Sequence, residues 1–360
     1  MNATKYSINE TQNHTRKATT LILCCCAMVM AVSGCQEKNN KSTSDNRSEK
    51  ELGMVWIPGG TFIMGTNETE AYDHERPAHQ VQLKGFWMDV TEVTNDQFKA
   101  FVDATGYITV AERKPKWEDL KKQSPPGTPA PPDSVLVPGA LAFTPPGHPV
   151  MLNDYSQWWR WSPGTDWKHP HGPASNLEGR MQFPVIHIAY DDAIAYCNWA
   201  GKRLPTEAEW EFASRGGADQ QRYAWGDELK LNGKYMANTF QGSFPNFNSG
   251  EDGFESLAPV RSFPPNSYGV YDMIGNVWEW TSDWYNVDYF KVLARSRVNV
   301  NPPGPEKPYD PNEPYAIKRV SKGGSFLCSD EYCVNYRPSA RQGTAFDSGM
   351  SNLGFRCVKD

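Results

Sequence analysis

Two cysteines with four residues between them, Cys328 and Cys333 in Gly323-Gly324-Ser325-Phe326-Leu327-Cys328-Ser329-Asp330-Glu331-Tyr332-Cys333, are the residues whose type and spacing best suit chemistry. A pair this close can grip one soft metal ion through its thiolates or form a redox pair. An ordinary disulfide is the plain alternative in an oxidising compartment. Few other cysteines are available to the folded body. Of the eight in the chain, Cys24, Cys25 and Cys26 lie in an N-terminal apolar stretch and Cys35 closes it, which leaves Cys197, Cys328, Cys333 and Cys357. These four can pair in more than one way, and sequence alone does not choose. The seven histidines are scattered, with His169 and His171 as the close pair. No carboxylate–histidine iron constellation, Ser-His-Asp arrangement or phosphate-cradling glycine loop rises above background. A net charge of −6 argues against a nucleic-acid partner, which would favour a basic face.

The cysteine pair has to be positioned by a body of about 300 residues, 53–360, long enough for one large core and read as a single domain. What precedes it reads as an address and a tether. Arg16 and Lys17 come before an apolar run from Leu21 to Val32, about 12 residues and too short to span a bilayer as a helix. The run ends Val32-Ser33-Gly34-Cys35, which resembles the bacterial lipobox. That resemblance implies a signal peptide over 1–34, cleavage before Cys35 and lipid attachment to its sulfur; a plain signal peptide is the alternative. Gln36 after the cysteine points to the outer membrane. Residues 36–52 carry no aromatic and almost no aliphatic side chain, so with Cys35 they read as a flexible tether. The expectation is a protein of the bacterial cell envelope whose body meets the membrane only through its lipid anchor.

Within the body no block recurs at fixed period, which argues against a repeat protein. Three helices are expected. Thr94 to Thr105 puts Phe98, Phe101 and Val102 on one face. Asp191 or Asp192 can cap a second, running to Trp199 and ended by Gly201, and Thr206 with Glu209 offers a capping box for a third. Met54–Ile57, Phe62–Met64, Val81–Leu83 and Val185–Ile188 read as strands. Residues 113–181, rich in proline and tryptophan, read as a long ordered excursion in need of stiffening, for which a disulfide or bound calcium would serve.

Six motifs follow one another along this body. They are Pro58-Gly59-Gly60-Thr61-Phe62-Ile63-Met64-Gly65, Glu92-Val93-Thr94-Asn95, Gly201-Lys202-Arg203-Leu204-Pro205-Thr206-Glu207-Ala208-Glu209-Trp210-Glu211, Gly275-Asn276-Val277-Trp278-Glu279-Trp280, Lys322-Gly323-Gly324-Ser325 and Asn352-Leu353-Gly354-Phe355-Arg356-Cys357. Together they resemble the formylglycine-generating enzyme (sulfatase-modifying factor) family over nearly the whole of 53–360. The resemblance implies a mixed α/β (α+β), C-type-lectin-like fold with much irregular structure. It implies an O2-dependent oxidoreductase that converts the cysteine of a Cys-x-Pro-x-Arg motif in sulfatases to Cα-formylglycine, with unfolded or nascent exported sulfatases as partners. Many relatives keep the fold without the chemistry. The alternative is therefore a non-catalytic, lipid-anchored scaffold of the gliding-motility or secretion type, which typically lacks the cysteine pair present here.

The resemblance also implies roles. The family's equivalents of Cys328 and Cys333 bind Cu(I) and are the catalytic thiols, with O2 and a thiol reductant as co-substrates. Ser325 and Tyr332 match positions beside the metal and the substrate cysteine. Trp278 matches an aromatic of the substrate groove, and Arg341 and Asn352 match active-site surroundings. Cys197 and Cys357 match a structural disulfide. The partners of a second bridge found in some relatives align with Ala213 and Pro338, and both cysteines are absent together. Position 329 is serine where some relatives carry histidine. Two structural calcium sites carry over: the side chains of Asn238 and Asp252 with the carbonyls of Thr239 and Phe254, and Asp272 and Glu279 with the carbonyls of Gly275 and Val277. Some relatives have asparagine at the position of Asp272. A monomer is expected.

Overall fold

The computed structural model describes residues 53–360; the expected signal peptide, Cys35 and the tether lie outside the described residues. Strands β1 (Met54–Ile57), β2 (Gly60–Met64), β3 (His79–Leu83) and β4 (Phe86–Asp89) precede helix α1 (Asn95–Thr105). The short helix α2 (Trp117–Leu120) and the hairpin β5 (Gly139–Phe143)–β6 (Trp159–Pro163) lie in the long excursion, followed by helices α3 (Tyr190–Trp199) and α4 (Glu207–Arg215). Two minimal hairpins come next, β7 (Lys230–Leu231) with β8 (Lys234–Tyr235) and β9 (Gly242–Ser243) with β10 (Phe247–Asn248). The remainder holds β11 (Trp278–Trp284), α5 (Tyr289–Leu293), β12 (Asn299–Val300), β13 (Lys318–Lys322), β14 (Gln342–Ala345), β15 (Leu353–Gly354) and β16 (Val358–Lys359). This is the expected mixed α/β architecture with much irregular backbone. Among the described residues no helix is long and apolar enough to cross a membrane.

Three sheets organise the body, in the orders β1–β4–β16, β12–β3–β2 and β14–β13–β11–β15. The first joins the two ends of the described chain: Met54 pairs with Asp89 on one side of β4, and Val358 with Met88 on the other. In the third, β11 runs antiparallel to β13 and parallel to β15, with a register shift between Trp280 and Trp284.

Helix boundaries follow from capping chemistry. The Thr94 hydroxyl accepts Gln97 N–H (3.3 Å) while Gln97 Oε1 accepts Thr94 N–H (2.9 Å), and Gly106 ends α1 in the left-handed region. Thr206 and Glu209 form the same reciprocal pair at the start of α4, as the sequence led one to expect. Helix α3 departs from expectation, because its cap is Ala189 and not an aspartate. Asp192 lies inside the first turn and reaches back to accept Ala189 N–H (3.0 Å), together with Val110 N–H (2.9 Å) and Tyr107 OH (3.0 Å). One carboxylate thus starts the helix and fastens the 107–110 loop to it.

Val185–Ile188 is not a strand. His187 adopts φ 60°, which breaks the extended run; Val185 N–H bonds to Val93 O and His187 N–H to Met350 O. The apolar pattern has another cause: Val185 and Ile188 enter the larger core, and Ile186 a smaller one. The excursion is tied down without a disulfide. Leu141 N–H donates to Gly349 O (3.0 Å), Ser351 N–H to Leu141 O (3.1 Å), and Lys168 pairs with Glu112 (2.6 Å).

The larger core gathers Phe98, Trp210, Trp280 and Phe355 from α1, α4, β11 and the last turns of the chain. The smaller contains Trp158, Phe240, Phe244, Phe326 and Leu327. Cys328 belongs to the larger core and its neighbour Leu327 to the smaller, so the cysteine loop lies along the seam between them.

Candidate functional site

The loop that carries the cysteines begins where β13 ends. Gly323 and Gly324 both have positive φ (94° and 72°). A Cβ on Gly323 would stand 2.9 Å from Met273 O, and one on Gly324 3.0 Å from Tyr336 N, so neither conformation nor space admits a side chain. Gly323 O accepts Gly275 N–H and Asn276 O accepts Phe326 N–H, both at 2.9 Å, which stitches this turn to the Gly275–Trp280 motif. Asn276 goes further: its amide donates to Glu92 Oε1 (3.0 Å) and its Oδ1 accepts Ala258 N–H (3.0 Å). Motifs far apart in sequence are thereby joined at one side chain.

Beyond the glycines, Cys328 N–H bonds to Ser325 O and Cys333 N–H to Ser329 O, each at 2.9 Å. These two turns bring the thiols close enough for each to shift the other's proton affinity. Cys328 is sealed at 1% exposure, whereas Cys333 is half-buried. Each sulfur has its own polar neighbour. Ser325 lies beside Cys328 and favours its thiolate, and its hydroxyl accepts from Asn352 Nδ2 (2.9 Å) and Leu327 N–H (3.2 Å). Asn335 lies beside Cys333 and favours its thiolate. Burial, reinforced by the second sulfur, pushes the Cys328 thiol well above its ordinary range. The neighbouring Cys328, helped by Asn335 and by the charge of Arg337, outweighs burial at Cys333 and pulls that thiol down. The pair therefore releases its first proton from Cys333 and shares the second.

Aromatic rings wall this pair. Tyr332, 38% exposed, stacks on Phe244 (4.7 Å) and meets Trp158 edge-on (5.5 Å). Tyr72 comes from the loop between β2 and β3. Its phenol is pushed up by burial and then by the charge of Cys333. That loop is clamped to the cysteine loop by Arg337, whose Nη1 and Nη2 donate to the Glu75 carboxylate (2.9 and 2.8 Å) while Tyr72 N–H bonds to Glu75 Oε1 (3.2 Å). Sequence reasoning missed Tyr72, Glu75, Asn335 and Arg337. Asn335 and Arg337, within four residues of Cys333, carried a proximity signal; Tyr72 and Glu75 carried none.

The remaining expected residues divide. Ser325, Tyr332 and Asn352 gather with the cysteines. Trp278 is 4% exposed and packs in the larger core, so its indole offers little surface to a substrate. Arg341 is 1% exposed, donates to both oxygens of Glu207 (2.7 and 2.8 Å) and to His74 O and Asn286 O, and lies over Phe290. In this structure it braces the core and presents no face to a substrate. Cys197 and Cys357 are buried thiols with sulfurs 3.3 Å apart, so the structure brings together the residues of the expected disulfide.

Among the described residues no cluster of three or more His, Cys, Asp or Glu side chains is arranged to hold a metal. The expected calcium sets instead draw on amides and carbonyls. In the first, Asn238 Oδ1 is buried without a hydrogen-bond partner. Asp252 is drawn in by Thr239 N–H (2.8 Å), Gln241 Nε2 (2.8 Å) and Phe254 N–H (2.9 Å). An orphaned oxygen near a carboxylate fits an oxygen-seeking cation. In the second set the Glu279 carboxylate is committed to Arg356 (2.7 Å to each oxygen) and Trp210 Nε1. Burial raises Asp272 to about 6 and lifts the neighbouring Glu92 well above the carboxylate range, each acid also raised by its anionic neighbours. This set fits a cation through its excess of negative charge, although one Asp272 oxygen already accepts Arg261 N–H (2.6 Å) and Glu279 is taken up by Arg356.

Similarity to known proteins agrees with this geometry. A family model described as the sulfatase-modifying factor enzyme 1-like domain matches residues 39–360. The formylglycine-generating enzyme of Thermomonospora curvata is 44% identical over 320 residues, covering 87% of this chain and 96% of that protein. That of Mycobacterium tuberculosis is 45% identical over 307 residues, covering 85% and 97%. Among solved structures, PvdO from Pseudomonas aeruginosa shares the fold, with a TM-score of 0.57 and 24% identity over 85% of this chain and 94% of that one. With the family model running to the last residue and relatives this similar along their length, the chain belongs to the sulfatase-modifying factor (formylglycine-generating enzyme) family.

Proposed function

We propose that this chain oxidises the cysteine of a Cys-x-Pro-x-Arg segment in exported sulfatases to Cα-formylglycine, with Cu(I) held between Cys328 and Cys333. The observation that carries the reading is the neighbouring thiol pair, one residue sealed in the core and the other partly exposed. Two thiolates are the donor type that a soft monovalent ion prefers, and copper bound there would supply O2 activation. The balance consumes one O2 with two electrons and two protons from a thiol reductant. The substrate β-carbon becomes the aldehyde, its sulfur leaves as hydrogen sulfide and the second oxygen as water.

The chain's own residues supply position. Cys333 is the more exposed residue of the pair, so the substrate thiol approaches from its side. Ser325, held by Asn352, fixes the direction of the Cys328 sulfur. Tyr332, braced by Phe244 and Trp158, walls the mouth and offers a phenol to the arriving cysteine. Trp278 and Arg341 support this site from within the core. Calcium at the first set, and more weakly at the second, stiffens the surrounding loops, and an oxidised Cys197–Cys357 pair would lock α3 to the last turn of the chain.

Lipidated Cys35 would hold the monomeric body in the cell envelope, at the outer membrane, where it meets clients as they emerge unfolded from export. Restoration of sulfatase activity by a leaderless version as well as by the native form would sink that part of the reading.

The test is mass spectrometry of a Cys-x-Pro-x-Arg peptide incubated with the protein, Cu(I), O2 and a thiol reductant. Thiol-to-aldehyde conversion, lost in Cys328→Ser and Cys333→Ser, is the expected result. No conversion of several such peptides by folded, copper-loaded protein would overturn the reading.

A further inference from the structure

The sheet that receives the start of the described chain is covered on one face only. Its inner rows, Val55–Met88–Val358 and Ile57–Phe86, pack into the larger core. On the opposite face Met54 and Asp89 are buried, with Lys202 closing over Asp89 (2.6 Å), but the next row, Trp56–Trp87–Lys359, reaches solvent. Trp56 is 45% exposed and meets Trp87 edge-on at 5.5 Å. Its indole lies so close to Gly85 that a Cβ there would stand 2.3 Å from Trp56 Cζ2, so the ring is held in place and not merely left outside. Next to Gly85, Lys84 is exposed, and its N–H donates to Asn301 Oδ1 (2.8 Å), which brings Val300, 62% exposed, toward the same corner. An indole pair edged by an aliphatic side chain and lysines is the composition of a surface that enters the headgroup level of a bilayer. Tryptophan rings settle there, and lysine stems lie on apolar surface while their ammonium groups stay in water.

The chain itself points to what covers this corner. Trp56 stands three residues after Gly53, where the described chain begins. Only residues 36–52 separate that point from Cys35, so even a fully extended chain holds β1 within roughly 60 Å of a lipid on Cys35. The corner at β1 is thus the part of the body that an anchor brings first to the membrane. We propose that the Trp56–Trp87 corner, with Val300 and Lys84 at its edge, is a second membrane contact that lays the body against the bilayer holding its anchor. The inference rests on the reading of Cys35 as a lipidated residue. Lipid alone leaves the body free to swing, whereas rings seated at the headgroup level fix which side faces the bilayer.

The test uses the full lipidated protein in vesicles of phosphatidylethanolamine and phosphatidylglycerol, with and without bromine on the acyl chains, since bromine quenches nearby indoles. All 13 tryptophans lie in the body, and Trp161 and Trp199 are about as exposed as Trp56. The parent should lose emission in brominated vesicles. Trp56→Ser combined with Trp87→Ser should abolish that loss while circular dichroism remains that of the parent. Should this variant fail to fold, Trp56→Tyr takes its place and should reduce the loss. Quenching that persists undiminished means that another face, such as that of Trp161 or Trp199, meets the bilayer, and it overturns the proposal. A parent that floats with the vesicles yet is not quenched also overturns it, and a dimer in detergent that Trp56→Ser dissociates would then assign the corner to a second copy. A parent that does not float at all instead sinks the reading of Cys35 as an anchor, and the docking surface with it.

Discussion

Cys328 and Cys333 are chemically identical side chains made different by their surroundings. Because Cys333 lies below the ordinary thiol value of 9.0 and Cys328 well above it, raising the pH fills the thiolate at Cys333 first. Iodoacetamide followed by peptide mapping should therefore label Cys333 before Cys328 at every pH below 9.0, an ordering that the burial of Cys328 reinforces. Equal labelling would mean that the asymmetry is absent in solution. Ser325→Ala removes the hydroxyl that lies beside Cys328 and accepts from Asn352, and should lower kcat by about tenfold or more with little change in KM. The site was partly legible from sequence. Ser325 and Asn352 lie inside two of the quoted motifs and Tyr332 directly before Cys333, so the resemblance could name them, and their side chains gather by the pair. Tyr72 and Glu75 could not, since long-range contacts bring them to the site, the Glu75–Arg337 ion pair together with bonds from Ser339 and Arg341. Arg341, which the resemblance put among the active-site surroundings, turns its guanidinium inward to Glu207, a contact that no local pattern announces.

At the scale of elements, buried charge fixes how α4 meets the third sheet. Glu207 pairs with Arg341, and Glu211 with Arg215 (2.7 Å) and Lys322 (3.1 Å), all buried. Removing one partner of such a pair strands the other, so Arg341→Met should cost about 3–5 kcal/mol in urea unfolding. A cost near zero would show that Glu207 finds another partner. Asp283, which accepts Glu207 N–H (2.8 Å), gives a pH dependence. Burial, then the charge of Glu207, raises it from 3.8 to about 7. The folded state holds this proton where the unfolded chain has released it, so its contribution to stability falls as pH rises through that window. Asp283→Asn should gain on the parent as pH climbs from 3.8 to about 7 and hold that gain above it, checked by unfolding midpoints across the range. Helices with reciprocal caps were readable because the signal is local. Val185–Ile188 was not, because an apolar run shared between two cores resembles a strand until His187 turns left-handed.

Among the described residues irregular backbone exceeds helix and strand, and its rigidity has to come from elsewhere. The orphaned Asn238 oxygen predicts that calcium stabilises the fold by binding it and not the unfolded chain. Chelation with EGTA should lower Tm, calcium should restore it, and Asn238→Ala should blunt the response; a Tm indifferent to both would remove calcium from this site. The clamp between Glu75 and Arg337 and the pairing of β4 with β16 carry a consequence in time. A chain growing from its N-terminus has placed Tyr72 and Glu75 long before Arg337 exists, and it completes the first sheet only with Val358. Contacts that join the first elements to the last form late and slowly. A partly made copy lacks the clamp and the closing strand, so the two sulfurs take up their folded surroundings only after the residues around Arg337 and Val358 have been added.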